Sequence, residues 1–169
     1  MRIGGFLPLS FNDYPSIPAA VLFTQGCNWR CSYCHNHGLL SVHGQDEKKI
    51  SDIFIHLKNR KNVLGGIVIT GGEPTIHKDL PEFIAELKQF DLPVKLDTNG
   101  TNPSLIRKLL EHRLINFIAM DIKAPLKKYE LITQSKVCLE AIKEAITIIY
   151  SSGIKHQFRT TFPPHLLKE

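Results

Sequence analysis

Three cysteines, Cys27, Cys31 and Cys34, fall within eight residues at the spacing C-x3-C-x2-C. Three thiolates on one short loop can converge on a single inorganic centre. A cubane iron–sulfur cluster has four irons, and electron-transfer versions take a cysteine on each. Three ligands leave one iron open. A small molecule can bind at that corner and accept an electron directly, as catalytic metal sites do by keeping a coordination position free. The competing reading of the same loop is zinc, with His35 or His37 as fourth ligand. Zinc ribbons usually show two separated C-x2-C pairs, whereas the remaining cysteine, Cys138, stands more than a hundred residues away. Cys138 reads as a small buried hydrophobe near the start of the last helix. Trp29 and Tyr33 read either as a screen between the centre and water or as plain loop packing.

Other chemistry-bearing residues recur after short apolar runs. Thr70-Gly71-Gly72-Glu73-Pro74 supplies two glycines that let the backbone approach a ligand, and a carboxylate suited to an ammonium group. Taken alone, it also reads as a tight strand-to-helix turn. Asp97-Thr98-Asn99-Gly100, Asp121 with Lys123, and Arg159 complete the set. Carboxylates and cations together suit a zwitterionic ligand. Asp97 and Asp121 also suit a hard cation, which prefers oxygen donors.

These residues must be positioned by something, and the intervening pattern says what. Runs rich in β-branched residues at Ala20–Thr24, Gly66–Thr70, Pro93–Asp97, Phe117–Ile122 and Lys155–Thr160 read as buried parallel strands. Between them lie helical stripes: Ile50/Ile53/Phe54/Leu57, Leu80/Phe83/Ile84/Leu87, Leu105/Ile106/Leu109/Leu110 and Leu139/Ile142/Ala145/Ile146/Ile149. Asn102-Pro103 opens the third stripe, and Gly153 closes the fourth. The alternation predicts an α/β fold with a parallel sheet, and every strand delivers its polar residues at the carboxyl end. That rim is where parallel β/α folds bind ligands. Residues 1–18 read as an N-terminal extension or hairpin, and residues 19–169 as the β/α domain.

The chain has 169 residues, 43% of them hydrophobic and 22% charged, which suits one globular domain. A closed eight-unit barrel needs ~250 residues, so about five β/α units fit here. The net charge of +5 permits an anionic ligand without marking a nucleic-acid groove. No apolar run approaches the ~20 residues that cross a bilayer. Neither nucleic acid nor membrane is expected as a partner. Clustered cysteines behind an N-terminus that does not read as an export signal predict a metal centre in a reducing cytoplasm.

The cysteine run followed by Gly71-Gly72-Glu73-Pro74 resembles the radical S-adenosylmethionine (SAM) superfamily, over about Ala19 to Thr161. Within it, Cys34-His35-Asn36, Asp97-Thr98-Asn99-Gly100 and Asp121-Ile122-Lys123 resemble the glycyl-radical-enzyme activating enzymes. The opening from Ile3-Gly4-Gly5 to Asp13-Tyr14-Pro15, with Phe23-Thr24-Gln25-Gly26-Cys27, is similar to the branch that activates anaerobic ribonucleoside-triphosphate reductase.

The resemblance implies a partial (β/α)6-type radical SAM barrel whose Cys27, Cys31 and Cys34 hold a [4Fe–4S] cluster. SAM chelates the unique iron through its amino and carboxylate groups. Gly71, Gly72 and Glu73 match the motif that contacts the amino group; Lys123 and Arg159 match residues on its carboxylate and ribose side. Asn99 lies in the same rim and is expected to reach SAM. Asp97, Thr98 and Asp121 match residues that hold a monovalent cation. Flavodoxin or ferredoxin supplies an electron, SAM is cleaved to a 5′-deoxyadenosyl radical, and a glycyl radical is installed on a partner, here an anaerobic ribonucleotide reductase. No side chain need act as general acid or base. The resemblance also implies a sixth β/α unit, with part of the adenine pocket, that these residues do not show. Two alternatives follow: a radical SAM enzyme acting on a small molecule or RNA, and a truncated, non-enzymatic metal-binding protein.

Overall fold

The computed structural model describes residues 1–43 and 48–161. Six strands form one sheet in the order β1 to β6: β1 (Ile3–Ser10), β2 (Ala19–Thr24), β3 (Gly66–Gly71), β4 (Val94–Thr98), β5 (Phe117–Asp121) and β6 (Lys155–Arg159). β1 pairs antiparallel with β2, and the four remaining pairings are parallel. The five parallel strands coincide with the five predicted runs to within one residue at each end. β6 departs from the expected burial: none of its residues is buried, because four of the five are polar or charged. The sixth strand is β1, whose Gly4, Gly5 and Pro8 mask its alternation in the sequence.

Helices α1 (Ile50–Arg60), α2 (Leu80–Leu87), α3 (Pro103–Glu111) and α5 (Leu139–Ser151) occupy the four stripes. Their apolar residues meet the sheet in the main core. Ile53, Leu57, Ile84, Leu87, Ile106, Leu109 and Ile142 lie there with Leu22, Ile67, Ile69, Leu96 and Ile118. Each fully buried Leu or Ile contributes ~1.5–3 kcal/mol. A smaller cluster of Tyr14, Ala19, Val21 and Val68 covers part of the opposite face. The start of α3 follows its sequence signal: Asn102 Oδ1 accepts the Leu105 N–H at 3.1 Å, and Pro103 sits at the first turn. Gly153 takes a φ of +72° after α5.

One short helix, α4 (Tyr129–Thr133), has no counterpart in the sequence reading. Five residues span less than two turns, too few to display a helical period. Cys138 also departs from expectation, because it is exposed. It is the N-cap of α5 with extended backbone (φ −81°, ψ 96°). Its side chain therefore leaves the stripe that it would join four residues before Ile142 if it were helical.

Candidate functional site

The parallel strands all end on the same rim, and the segments that follow them enclose a cavity of about 240 Å³. Cys27, Cys31 and Cys34 line it, together with Gly71, Gly72, Glu73, Asp97, Thr98, Asn99, Asp121 and Lys123. Arg159 joins them by ion pairs with Asp97 and Asp121. Residues scattered over more than 130 positions are thus gathered by one edge of the sheet.

The cysteine loop is held from both sides. Behind it, the Gly26 and Cys27 N–H groups donate to the Leu39 and Leu40 carbonyls at 2.8 and 3.2 Å. Gln25 Nε2 donates to the Gly38 and Ser41 carbonyls. On the other side, α4 is the buttress. Arg30 N–H donates to the Thr133 carbonyl at 2.9 Å, and Ser32 N–H to the Ile132 carbonyl at 3.0 Å. Trp29, 2% exposed, meets the fully buried Tyr129 edge-on with ring centroids 5.8 Å apart. Trp29 and Tyr33 both line the cavity, so packing the loop and walling the site are the same role.

Glu73 is 1% exposed, and its carboxylate is spent on the rim itself. Oε1 accepts from Thr75 N (3.0 Å), Thr75 Oγ1 (2.5 Å) and Thr98 Oγ1 (2.7 Å), and Oε2 accepts from Asn99 N (2.7 Å). Burial raises its pKa against those four donors. The glycines beside it serve close packing. A Cβ on Gly72 would lie 1.9 Å from the Gly26 carbonyl oxygen, and one on Gly71 would lie 2.3 Å from Thr24 N. The approach that the sequence assigned to a ligand is therefore an approach of two backbone turns. It is closed by the Glu73 N–H to Gly26 O bond at 2.8 Å.

Asn99 is committed in the same way. Its Nδ2 donates to Asn28 Oδ1 at 2.9 Å, while its Oδ1 accepts from Thr101 N and Thr101 Oγ1 at 3.0 and 2.7 Å. Asn28, inside the cysteine motif, returns a bond to Thr101 Oγ1 at 2.8 Å. This chain ties the end of β4 to the residue after Cys27.

The two aspartates meet three cations. Asp97 pairs with Lys95 and, at 3.2 Å, with Arg159; Asp121 pairs with Arg159 at 2.8 Å and Lys123 at 2.9 Å. Burial opposes the charge on Asp121, but Lys123 and Arg159 outweigh it and hold the carboxyl below its usual range. Asp121 likewise outweighs burial and raises Lys123. Thr98 gives its hydroxyl proton to Glu73 and accepts the Gly100 N–H at 3.1 Å. Each carboxylate oxygen of the set expected to hold a monovalent cation thus accepts from one of the chain's own cations.

Burial pushes the Cys27 thiol up to about 11, with the neighbouring carboxylate and thiols adding to it against the Trp29 N–H. Cys31 is also raised by burial, with Lys123 opposing. Such thiols become ligands when a positively charged centre replaces their protons.

Residues 21–169 match the Radical SAM superfamily. The chain belongs to that superfamily. A protein of Methanocaldococcus jannaschii, provisionally named a glycyl-radical enzyme activating enzyme, is 37% identical over 99% of this chain and 70% of its own length. A provisionally named GTP 3′,8-cyclase of Pyrococcus horikoshii is 29% identical, covering 86% of this chain and 44% of the relative. The pyruvate formate-lyase-activating enzyme of Clostridium pasteurianum is 29% identical, covering 72% and 52%. The chain thus spans about half the length of these last two. Among solved structures, anSMEcpe with bound AdoMet aligns with a TM-score of 0.59 at 21% identity, over 79% of this chain and 40% of that one. That likeness concerns the fold: the radical SAM barrel, of which this chain forms part.

Radical SAM membership implies a [4Fe–4S] cluster and SAM, and the donor set fits them. Three soft sulfurs suit iron–sulfur ligation. A single zinc ion needs its donors within ~2.0–2.3 Å of one point. His35 lines the cavity too. A cube asks less convergence, because each thiolate binds its own iron. No helix among the described residues is long and apolar enough to cross a membrane.

Sequence reasoning missed α4, Asn28, Gln25 and Lys95. For Lys95 a signal existed: residues two apart on a strand share a face, which places it beside Asp97.

Proposed function

We propose that this chain is the cluster-carrying, SAM-binding part of a glycyl-radical-enzyme activating enzyme. The partner in this reading is an anaerobic ribonucleotide reductase, and the electron source is flavodoxin or ferredoxin. The observation that carries it is one cavity lined by three cysteine thiols, the Gly71-Gly72 turn and the Lys123 ammonium. Cys27, Cys31 and Cys34 hold the cluster. The Gly71–Glu73 turn and Asn99 shape the amino side of the SAM site, and Lys123 and Arg159 face the carboxylate side. Bound there, cluster and SAM supply the one-electron chemistry; the protein supplies placement and dryness. Trp29 and Tyr33 keep water from the sulfurs, and α4 fixes the loop. Among the described residues β6 pairs with β5 and closes the rim that carries Arg159.

The likeness to a GTP cyclase favours a second reading, in which the substrate is a small molecule. Anaerobic reconstitution should load about four irons and four sulfides per chain. Dithionite and SAM should then yield 5′-deoxyadenosine, and Cys31→Ala should load no cluster. A glycyl-radical EPR doublet on added reductase supports the activating reading. SAM cleavage without that doublet turns to the second reading. A colourless chain with one zinc and no cleavage overturns both.

A further inference from the structure

Lys95 is a lysine in the core: it is 1% exposed, the second residue of β4. An isolated buried ammonium is costly, and pairing is what makes it tolerable. Its partner is Asp97 Oδ1. The other oxygen of Asp97 accepts from Arg159 Nη1 at 3.2 Å. Arg159 Nε donates to Asp121 Oδ1 at 2.8 Å, and Lys123 Nζ donates to Asp121 Oδ2 at 2.9 Å. All four carboxylate oxygens therefore carry a side-chain cation. Two negative and three positive groups leave one positive charge on this wall of the site.

We propose that Lys95 is a built-in counter-ion that takes the place of a free monovalent cation beside the SAM site. Lys95 and Asp97 are two apart on one strand, so the backbone delivers the ammonium to the carboxylate. A tethered cation loses no translational freedom on arrival, whereas a sodium ion does. Lys95 is a positioning residue in this account. It fixes Asp97, which with Arg159 and Asp121 fixes Lys123 at the cavity wall. Lys95→Met keeps an unbranched chain but removes the charge, leaving Asp97 Oδ1 bare next to Thr98. That vacancy is the kind of oxygen site a hard monovalent ion fills.

Two measurements test this. The first does not depend on the SAM reading. Sodium NMR of the wild-type chain should show no saturable line broadening, while Lys95→Met should show it and Lys95→Met/Asp97→Asn should lose it again. The second rests on the proposed function. SAM affinity of the reconstituted wild-type protein should change by less than about twofold when sodium chloride is replaced by choline chloride at equal ionic strength. Lys95→Met should weaken about tenfold or more in choline and recover with sodium, and Lys95→Arg should behave as wild type. A merely structural lysine would give a loss indifferent to the salt. Saturable sodium binding by the wild type, or its loss of SAM affinity in choline, overturns the proposal. So does a Lys95→Met protein indifferent to sodium in both measurements. Should that variant not fold, the wild-type results decide. Failure of the wild type to bind SAM in either salt refutes the functional reading and leaves the sodium result to judge this one.

Discussion

Asn99→Ala separates two jobs that the sequence assigned to one residue. If Asn99 serves to hold the cysteine loop, its loss must weaken the protein before any ligand is added. The substitution removes the bond to Asn28 Oδ1 and both bonds from Thr101. Net contributions of ~0.5–1.5 kcal/mol each give a loss of about 2–3 kcal/mol at this buried position. In a chain of this size that lowers Tm by roughly 4–12 °C. Anaerobic denaturation of the metal-free protein measures it. A double-mutant cycle with Asn28→Ala should return a coupling of about 0.5–1.5 kcal/mol, because the two side chains bond directly. Both single variants should also hold less iron after reconstitution. Stability within ~0.5 kcal/mol of wild type, together with weakened SAM binding, would refute the latch and place Asn99 on the ligand.

Gly72→Ala forces a Cβ to 1.9 Å from the Gly26 oxygen, so the two turns must part. A loss of about 3 kcal/mol or more is expected, read by denaturation and by iron content. Trp29→Ala should cost ~3–5 kcal/mol and sharply reduce cluster retention, because it empties the contact with Tyr129. In the metal-free protein, burial places Cys27 at about 11. The folded chain then binds that proton more tightly than the unfolded chain. The stability it contributes is complete below the ordinary thiol pKa and is lost as pH rises through about 11. An ultraviolet thiolate titration should show this late step in wild type and not in Cys27→Ser. Because the thiolate is the ligand, cluster assembly should also quicken as pH rises from neutral.

Much of the fold was legible in the sequence because its signals are local. The largely buried strands β2 to β5 read as apolar runs, and four amphipathic helices read as stripes. Asn102 and Pro103 mark the start of α3 within one turn of chain. The spacing of Cys27, Cys31 and Cys34 likewise names its chemistry, because ligand type and loop length set what the thiols can bind. β1 and α4 were not legible: one has glycines and a proline within its run, and the other is too short to show a period.

What only the tertiary structure decided is which polar groups are free. Glu73, Asp97 and Asp121 all sit on the rim that the sequence assigned to a ligand, yet each spends its oxygens on other parts of the chain. Those partners, from Thr98 to Arg159, lie as many as 62 residues away. A residue's type states what it can bond. Which bonds are made depends on distances that exist only once the strands are side by side. The exposed Cys138 and the buried Lys95 teach the same lesson, since burial belongs to the assembled layers and not to the residue.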